Sequence, residues 1–278
     1  PLLLPPWLRL LLIGDTGSGK TAQIGLLAEY IMATEDKTTV VFGMDKGGTQ
    51  SIAPHLNMNI IELIPYTRKL DPWVWITRSL RGEAYVNGKW VKVIDPAKHG
   101  LAAYEGLTAF SESMMMDLSR HSAENPTQAV GGESAWAFTA GEGEDAIRMA
   151  SNTQSHYGLA QMRLMREIWD ADPGVLSLYT ALLARGSDAL AGGGMLSPQT
   201  VGNKQGPMVP RWFDFVGRLD AVPAPSGLRH LLYLETHLDK NAKGAKVVAN
   251  ARIPIAGSVK VDSIIEPADI VKALLQVN

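Results

Sequence analysis

A chain of 278 residues, 46% hydrophobic and 19% charged, has the balance of a globular protein and enough length to bury a sizeable core. A formal net charge of −2 excludes a surface coated in basic charge, so any contact with nucleic acid has to come from local loops and to be sensitive to salt. The absence of cysteine excludes disulfides, thiolate metal sites and a cysteine nucleophile, and fits a reducing cytoplasm.

Residues 1–7 read as an N-terminal arm; the prolines at 1, 5 and 6 and the single basic residue before position 14 argue against a signal peptide. No apolar run approaches the roughly 20 residues that span a bilayer. Residues 8–13 form a short apolar strand, and Ile24, Leu27, Ala28 and Ile31 recur at helical spacing. Between them Gly14-Asp15-Thr16-Gly17-Ser18-Gly19-Lys20-Thr21 fits G-x-x-x-x-G-K-[ST] in full. Glycines at 14, 17 and 19 let consecutive backbone N–H groups curl around a polyphosphate, and the helix opening at Lys20 points its positive dipole end at the same anion. Lys20 is expected to reach the terminal phosphates as a point charge, and the Thr21 hydroxyl to sit on Mg²⁺.

A second strand over 38–44 ends at Asp45-Lys46-Gly47-Gly48. In a parallel sheet the carboxyl ends of the strands form the ligand crevice, which makes Asp45 either the group that polarises an attacking water or a turn-forming residue before two glycines. A third strand over 59–64 and a helix from Pro72 to Leu80 follow. Trp73 and Trp75 do not share a helical face, which reads as one buried and one partly exposed tryptophan. Asn87-Gly88 between alternating runs over 84–94 is a hairpin signal, expected as a ribbon at the edge of the core sheet.

Two acids compete to close a buried strand and hold a metal's water shell. Asp95 follows the half-exposed run of the hairpin, whereas Glu105 ends the continuous apolar run 100–104 and leads through Gly-Leu-Thr into a helix-compatible stretch; Glu105 is preferred. Residues 119–158 and 191–210 read as long loops rich in small and polar residues, of the kind that carry function or mobility. Between them lie a helix over 159–169 and a buried strand over 175–180. Thr180, at the strand's carboxyl end, is placed either to sense a γ-phosphate or to cap the strand. Lys204, with Arg185, Arg211 and Arg218 around it, gives the second loop a local excess of positive charge. A hairpin pairing 230–236 with 246–250 and a closing helix over 264–277 complete the chain. The six histidines show no metal-type spacing.

In this order the parts resemble the phage-encoded, RecA-like P-loop ATPases, which include short recombinases that act with annealing and single-strand-binding proteins. The resemblance is carried by LLIGDTGSGKT, VVFGMDKGG, HGLAAYEGLTAFSESMM, SNTQSHYG, LSLYTALLARGSD, VGNKQGPMVPRWF and the region from Leu228 to Pro254. It implies one RecA-like domain over 1–278, with a mostly parallel central sheet, an edge β-hairpin and a β-rich C-terminal part. It also implies an ATP hydrolase using ATP and Mg²⁺, with Asp45 as the catalytic carboxylate, Glu105 as the strand-end acid on the metal and Thr180 as the sensor. Each acid is the alternative to the one usual in the family, so charge is kept and reach differs by one methylene. The loops at 140–158 and 191–208 look like DNA-facing loops, with Lys204 acting on ATP across a subunit boundary. The partners implied are single-stranded DNA, a single-strand-binding protein and further copies of the chain in a ring or filament. The compartment implied is the cytoplasm of a prokaryotic or phage-infected cell, with no membrane. A motor acting on duplex DNA and a nucleotide-gated assembly protein with little hydrolysis are the alternatives.

Overall fold

The structure is a computed structural model that describes residues 4–44, 48–67, 70–113, 138–140, 147–149, 153–185, 196–200, 206–225, 227–234, 237–239, 245–247, 250–251 and 264–277. Asp45, Lys204 and most of the two long loops lie outside the described residues.

The strands at the centre are β1 (Arg9–Gly14), β2 (Thr38–Gly43), β3 (Ile61–Pro65), β6 (His99–Glu105), β9 (Leu176–Arg185) and β11 (Phe215–Ala224). They run parallel in the order β3-β2-β6-β9-β1-β11. Strand β12 (Gly227–Tyr233) and the short β15 (Asn250–Ala251) add to β11 antiparallel, β16 (Ile264–Ile265) adds to β12, and a short helix α2 (Ala53–Asn57) precedes β3. The α/β class, the mostly parallel sheet and the β-rich C-terminal part are therefore as expected.

Near-continuous apolar composition along these strands means that both faces are covered. The pleat then divides neighbouring residues between two cores. Leu11, Ile13, Phe42, Ala102 and Tyr104 face helices α3 (Pro72–Leu80) and α4 (Thr153–Asp170), through Trp75, Ile76, Leu80, Leu164 and Ile168. Leu10, Leu12, Val41, Leu101 and Ala103 face α1 (Lys20–Glu35) and α5 (Ile270–Val277), through Ile24, Leu27, Ala28, Ile31, Ile270 and Leu274. Each fully buried Leu or Ile contributes about 1.5–3 kcal/mol, so the sheet that carries Gly14 and Glu105 is held rigidly from both sides.

In the first core, aromatic rings stack across neighbouring strands. Phe42 lies on Tyr104 with centroids 5.3 Å apart, and Tyr104 on Tyr179 at 4.6 Å. The registers Phe42 with Tyr104 and Tyr104 with Tyr179 place the three rings side by side. Burial raises both phenols well above the usual tyrosine range. Folded-state values above the unfolded value mean that this stability is fully present below about pH 10 and is lost as pH rises beyond it, because only the unfolded chain ionises there. Alkaline titration followed near 295 nm should accordingly show these two tyrosines ionising only on unfolding.

Several expectations are corrected. The Asn87-Gly88 hairpin forms, with φ of 50° and 83°, but β4 (Glu83–Val86) and β5 (Lys89–Lys92) make a separate two-stranded sheet instead of an edge of the large one. Helix α4 begins at Thr153, six residues ahead of the expected start, and the antiparallel pair β7 (Phe138–Ala140) and β8 (Ile147–Met149) precedes it, so the first long stretch contains regular structure. The second contains β10 (Leu196–Pro198), paired with β9, and a 3₁₀ helix over Gly206–Trp212. Strand β12 does not pair with 246–250; the hairpin joins β13 (His237–Asp239) to β14 (Ala245–Val247). The closing helix is shorter than expected and starts at Ile270.

Candidate functional site

The site lies at the carboxyl edge of the parallel strands, where β1 opens into the glycine loop. Gly17 and Gly19 take φ of 79° and 95°, a left-handed conformation that glycine adopts without penalty. Gly14 is demanded by space instead: a Cβ there would lie 2.5 Å from both the Leu219 carbonyl oxygen and Ser18 Oγ. Gly14→Ala is therefore expected to push β1 away from β11, cost about 1–3 kcal/mol and abolish anion binding, checked by thermal melting and a binding isotherm. Asp15, Thr16 and Gly17 are exposed at the loop tip, and Ser18 is buried beneath them. The Ser18 amide donates to the Asp15 carbonyl at 3.1 Å and closes the turn.

Lys20 Nζ donates to the carbonyls of Gly14 and Asp15, both at 2.8 Å. The ammonium is thus held across its own loop, beside the first turn of α1, whose leading N–H groups have no partners within the helix. Positive charge beside the positive dipole end of a helix suits an anion.

Thr21 Oγ1 donates to Glu105 Oε1. Thr21 lies in the first turn of α1, which follows β1, and Glu105 is the last residue of β6; β9 separates the two strands in the sheet by about 10 Å, and the contact is made at the sheet's carboxyl edge. Glu105 is only 6% exposed. A buried carboxylate is costly unless a hydroxyl, amide or cation answers it. A hydroxyl and a carboxylate converging beside a lysine are hard oxygen donors of the kind Mg²⁺ takes. The pair fits that ion.

Asp95, the competing acid, is exposed and caps a local turn through the Ala97 amide, far from this convergence in its role. Strand β2 ends at Gly43, the register partner of Glu105, and Asp45 follows two residues later, outside the described residues. Thr180 is not at the end of its strand: β9 continues to Arg185. Its hydroxyl, 2% exposed, accepts the Gly106 amide at 3.0 Å, so it braces the turn that follows Glu105.

Three contributors escaped the sequence reading. Thr108 Oγ1 donates to the Gln199 carbonyl at 2.9 Å and accepts the Leu182 amide at 3.0 Å, tying the chain after Glu105 to β9 and to the stretch after β10. Gln23 is buried and His230 half-buried, and each links the start of α1 to the C-terminal region. A lone threonine, glutamine or histidine carries no spacing signal, so nothing in the sequence singled them out. Arg218, expected to add to a basic loop, is buried and paired with Asp220 at 2.8 Å, with its guanidinium over Tyr233. Among the described residues no group of three or more potential metal ligands of the His, Cys, Asp or Glu type gathers. No described helix is long and apolar enough to cross a membrane.

No protein-family model matches the chain, and no curated protein sequence matches it. Among solved structures, it is similar to a KaiC-like protein of the hyperthermophilic archaeon Pyrococcus horikoshii OT3. The identity is 11%, the TM-score 0.42, and the match covers 83% of this chain and 79% of the other. A likeness of that degree adds no weight to a functional reading, which rests on the loop and the carboxylate that meets it.

Proposed function

We propose that the protein binds and hydrolyses ATP with Mg²⁺. The observation that carries this reading is the contact of Thr21 with Glu105 beside Lys20, made by residues 84 apart in sequence at the mouth of a complete glycine-rich loop. In this reading the Gly19 amide, the amides at the start of α1 and the Lys20 ammonium bind and orient the phosphates. Thr21 and Glu105 would hold Mg²⁺, which supplies neutralisation of the charge on the β- and γ-phosphates. Thr180 keeps the Glu105–Gly106 turn in place through its bond to the Gly106 amide. Asp45, two residues beyond the end of β2 in the sequence, is assigned the proton of the attacking water.

The finer reading is that turnover serves an assembly on single-stranded DNA, in recombination or strand annealing, with Lys204 reaching a neighbouring copy's nucleotide. Its support is the resemblance noted in the sequence and the two long stretches rich in small and polar residues over 119–158 and 191–210. Both parts are tested by measuring phosphate release with and without oligo-dT at low salt. Turnover stimulated by oligo-dT and abolished in Asp45→Asn supports the whole reading. Turnover and fluorescence anisotropy both indifferent to oligo-dT remove the DNA part and leave the ATPase.

A further inference from the structure

His230 stands on β12, far from the loop in sequence, yet its Nδ1 lies 3.1 Å from the Ser18 carbonyl oxygen. A carbonyl only accepts, so Nδ1 carries the proton and donates, which both the neutral Nδ1–H tautomer and the imidazolium allow. The ring also rests against Gly19, where an added Cβ would lie 3.4 Å from the same nitrogen.

The bond matters because of what is attached to the other side of that peptide. In a trans peptide the C=O of Ser18 and the N–H of Gly19 point in opposite directions. Holding the carbonyl toward β12 turns the Gly19 N–H away from β12 and back toward the loop. Gly19, at φ 95°, gives this peptide plane little resistance on its own side to turning over, since glycine is at ease with positive or negative φ. A plane turned over would present a carbonyl dipole, in place of an amide donor, to an incoming anion.

The histidine is itself braced. Its carbonyl accepts the Ala268 amide at 2.8 Å; the Ala268 carbonyl accepts Gln23 Nε2 at 3.0 Å; Gln23 Oε1 accepts the Ile270 amide at 2.7 Å. The chain of bonds leaves the loop through His230, crosses the segment before α5 and returns to α1 at Gln23, four residues after Gly19.

We infer that His230 is a positioning residue for the phosphate loop, fixing the Ser18–Gly19 peptide so that the Gly19 amide is presented to the bound anion. The inference rests on the nucleotide reading above, and inorganic tripolyphosphate separates the two because it engages the loop and has no nucleoside. The pair His230→Leu and His230→Asn is close in shape; asparagine places an amide donor where Nδ1 stood and leucine does not. Tripolyphosphate and ATP affinities are measured for both variants, wild type and Lys20→Ala, with thermal melts alongside. The expected result is about fivefold weaker binding of both ligands by His230→Leu, by the same factor, with His230→Asn restored to within about twofold of wild type. Wild-type affinity in His230→Leu, equal weakness in His230→Asn, or loss of ATP affinity with tripolyphosphate unaffected would each overturn it. If the leucine variant does not fold, His230→Gln takes its place, its amide lying one bond too far. Wild type binding tripolyphosphate no better than Lys20→Ala would instead overturn the nucleotide reading itself.

Discussion

Lys20→Ala is expected to leave the fold intact and to remove ATP turnover by about 10²–10³-fold, the cost of deleting one preorganised group from a phosphate-transfer site. The side chain is half-buried and its ammonium bonds to the Gly14 and Asp15 carbonyls of its own loop, and Lys20 belongs to neither core cluster, so little packing is lost with it. Alanine is also a better helix former at the first position of α1 than lysine by a small margin. Binding should weaken as well, since a charged hydrogen bond contributes about 1.5–3 kcal/mol, or roughly 10- to 150-fold. Phosphate release and a melt of the same preparation check both halves. A variant that folds and turns over normally would separate the lysine from the chemistry.

Glu105→Gln makes the complementary prediction. The amide keeps the shape of the side chain and can still meet Thr21, so nucleotide binding is expected to survive. The negative charge that would hold Mg²⁺ is gone, and turnover should fall by about 10²-fold or more. Stability should move the other way. The carboxylate is 6% exposed, and a buried charge is costly to keep dehydrated, so the glutamine variant without nucleotide should melt no lower than wild type and up to about 2–4 °C higher per kcal/mol gained. A site that gains stability when its acid is neutralised is one where the charge is kept for function. Melting and phosphate release on one preparation test this, and a variant both less stable and fully active would contradict it.

The parts of this architecture that local chemistry dictates were legible in the sequence. The glycine loop was read to the residue because its spacing has one physical use. Helix α3 keeps the expected bounds Pro72–Leu80, and the structure adds the reason for its start: Asp71 accepts the Val74 amide and Pro72 opens the first turn. The Asn87-Gly88 turn was legible for the same reason. Apolar continuity before Glu105, the helix-compatible stretch after it and the half-exposed run before Asp95 favour Glu105, and the structure places it, and not Asp95, against Thr21.

What failed was whatever depends on partners distant in the chain. The sequence of β12 reads as a strand, but whether it pairs with β11 or with 246–250 is decided by the sheet, since β11 offers a ten-residue edge beside β1. The start of α4 lies ahead of the expected one because residues 153–158, Thr-Gln-Ser-His-Tyr-Gly, carry no apolar stripe, which begins only afterwards. Strand β9 was ended too early at Thr180, because its last five residues continue for the sake of β10 and β1. His230 illustrates the limit most plainly: its contact with Ser18 spans 212 residues, and no local pattern announces it.

The measurement that bears most directly on the central claim is equilibrium binding of ATP to the wild-type protein with and without Mg²⁺, with tripolyphosphate as competitor. The convergence of Thr21 and Glu105 under the loop predicts saturable one-to-one binding that Mg²⁺ strengthens and tripolyphosphate displaces. No saturable binding, or binding indifferent to both Mg²⁺ and tripolyphosphate, would contradict it.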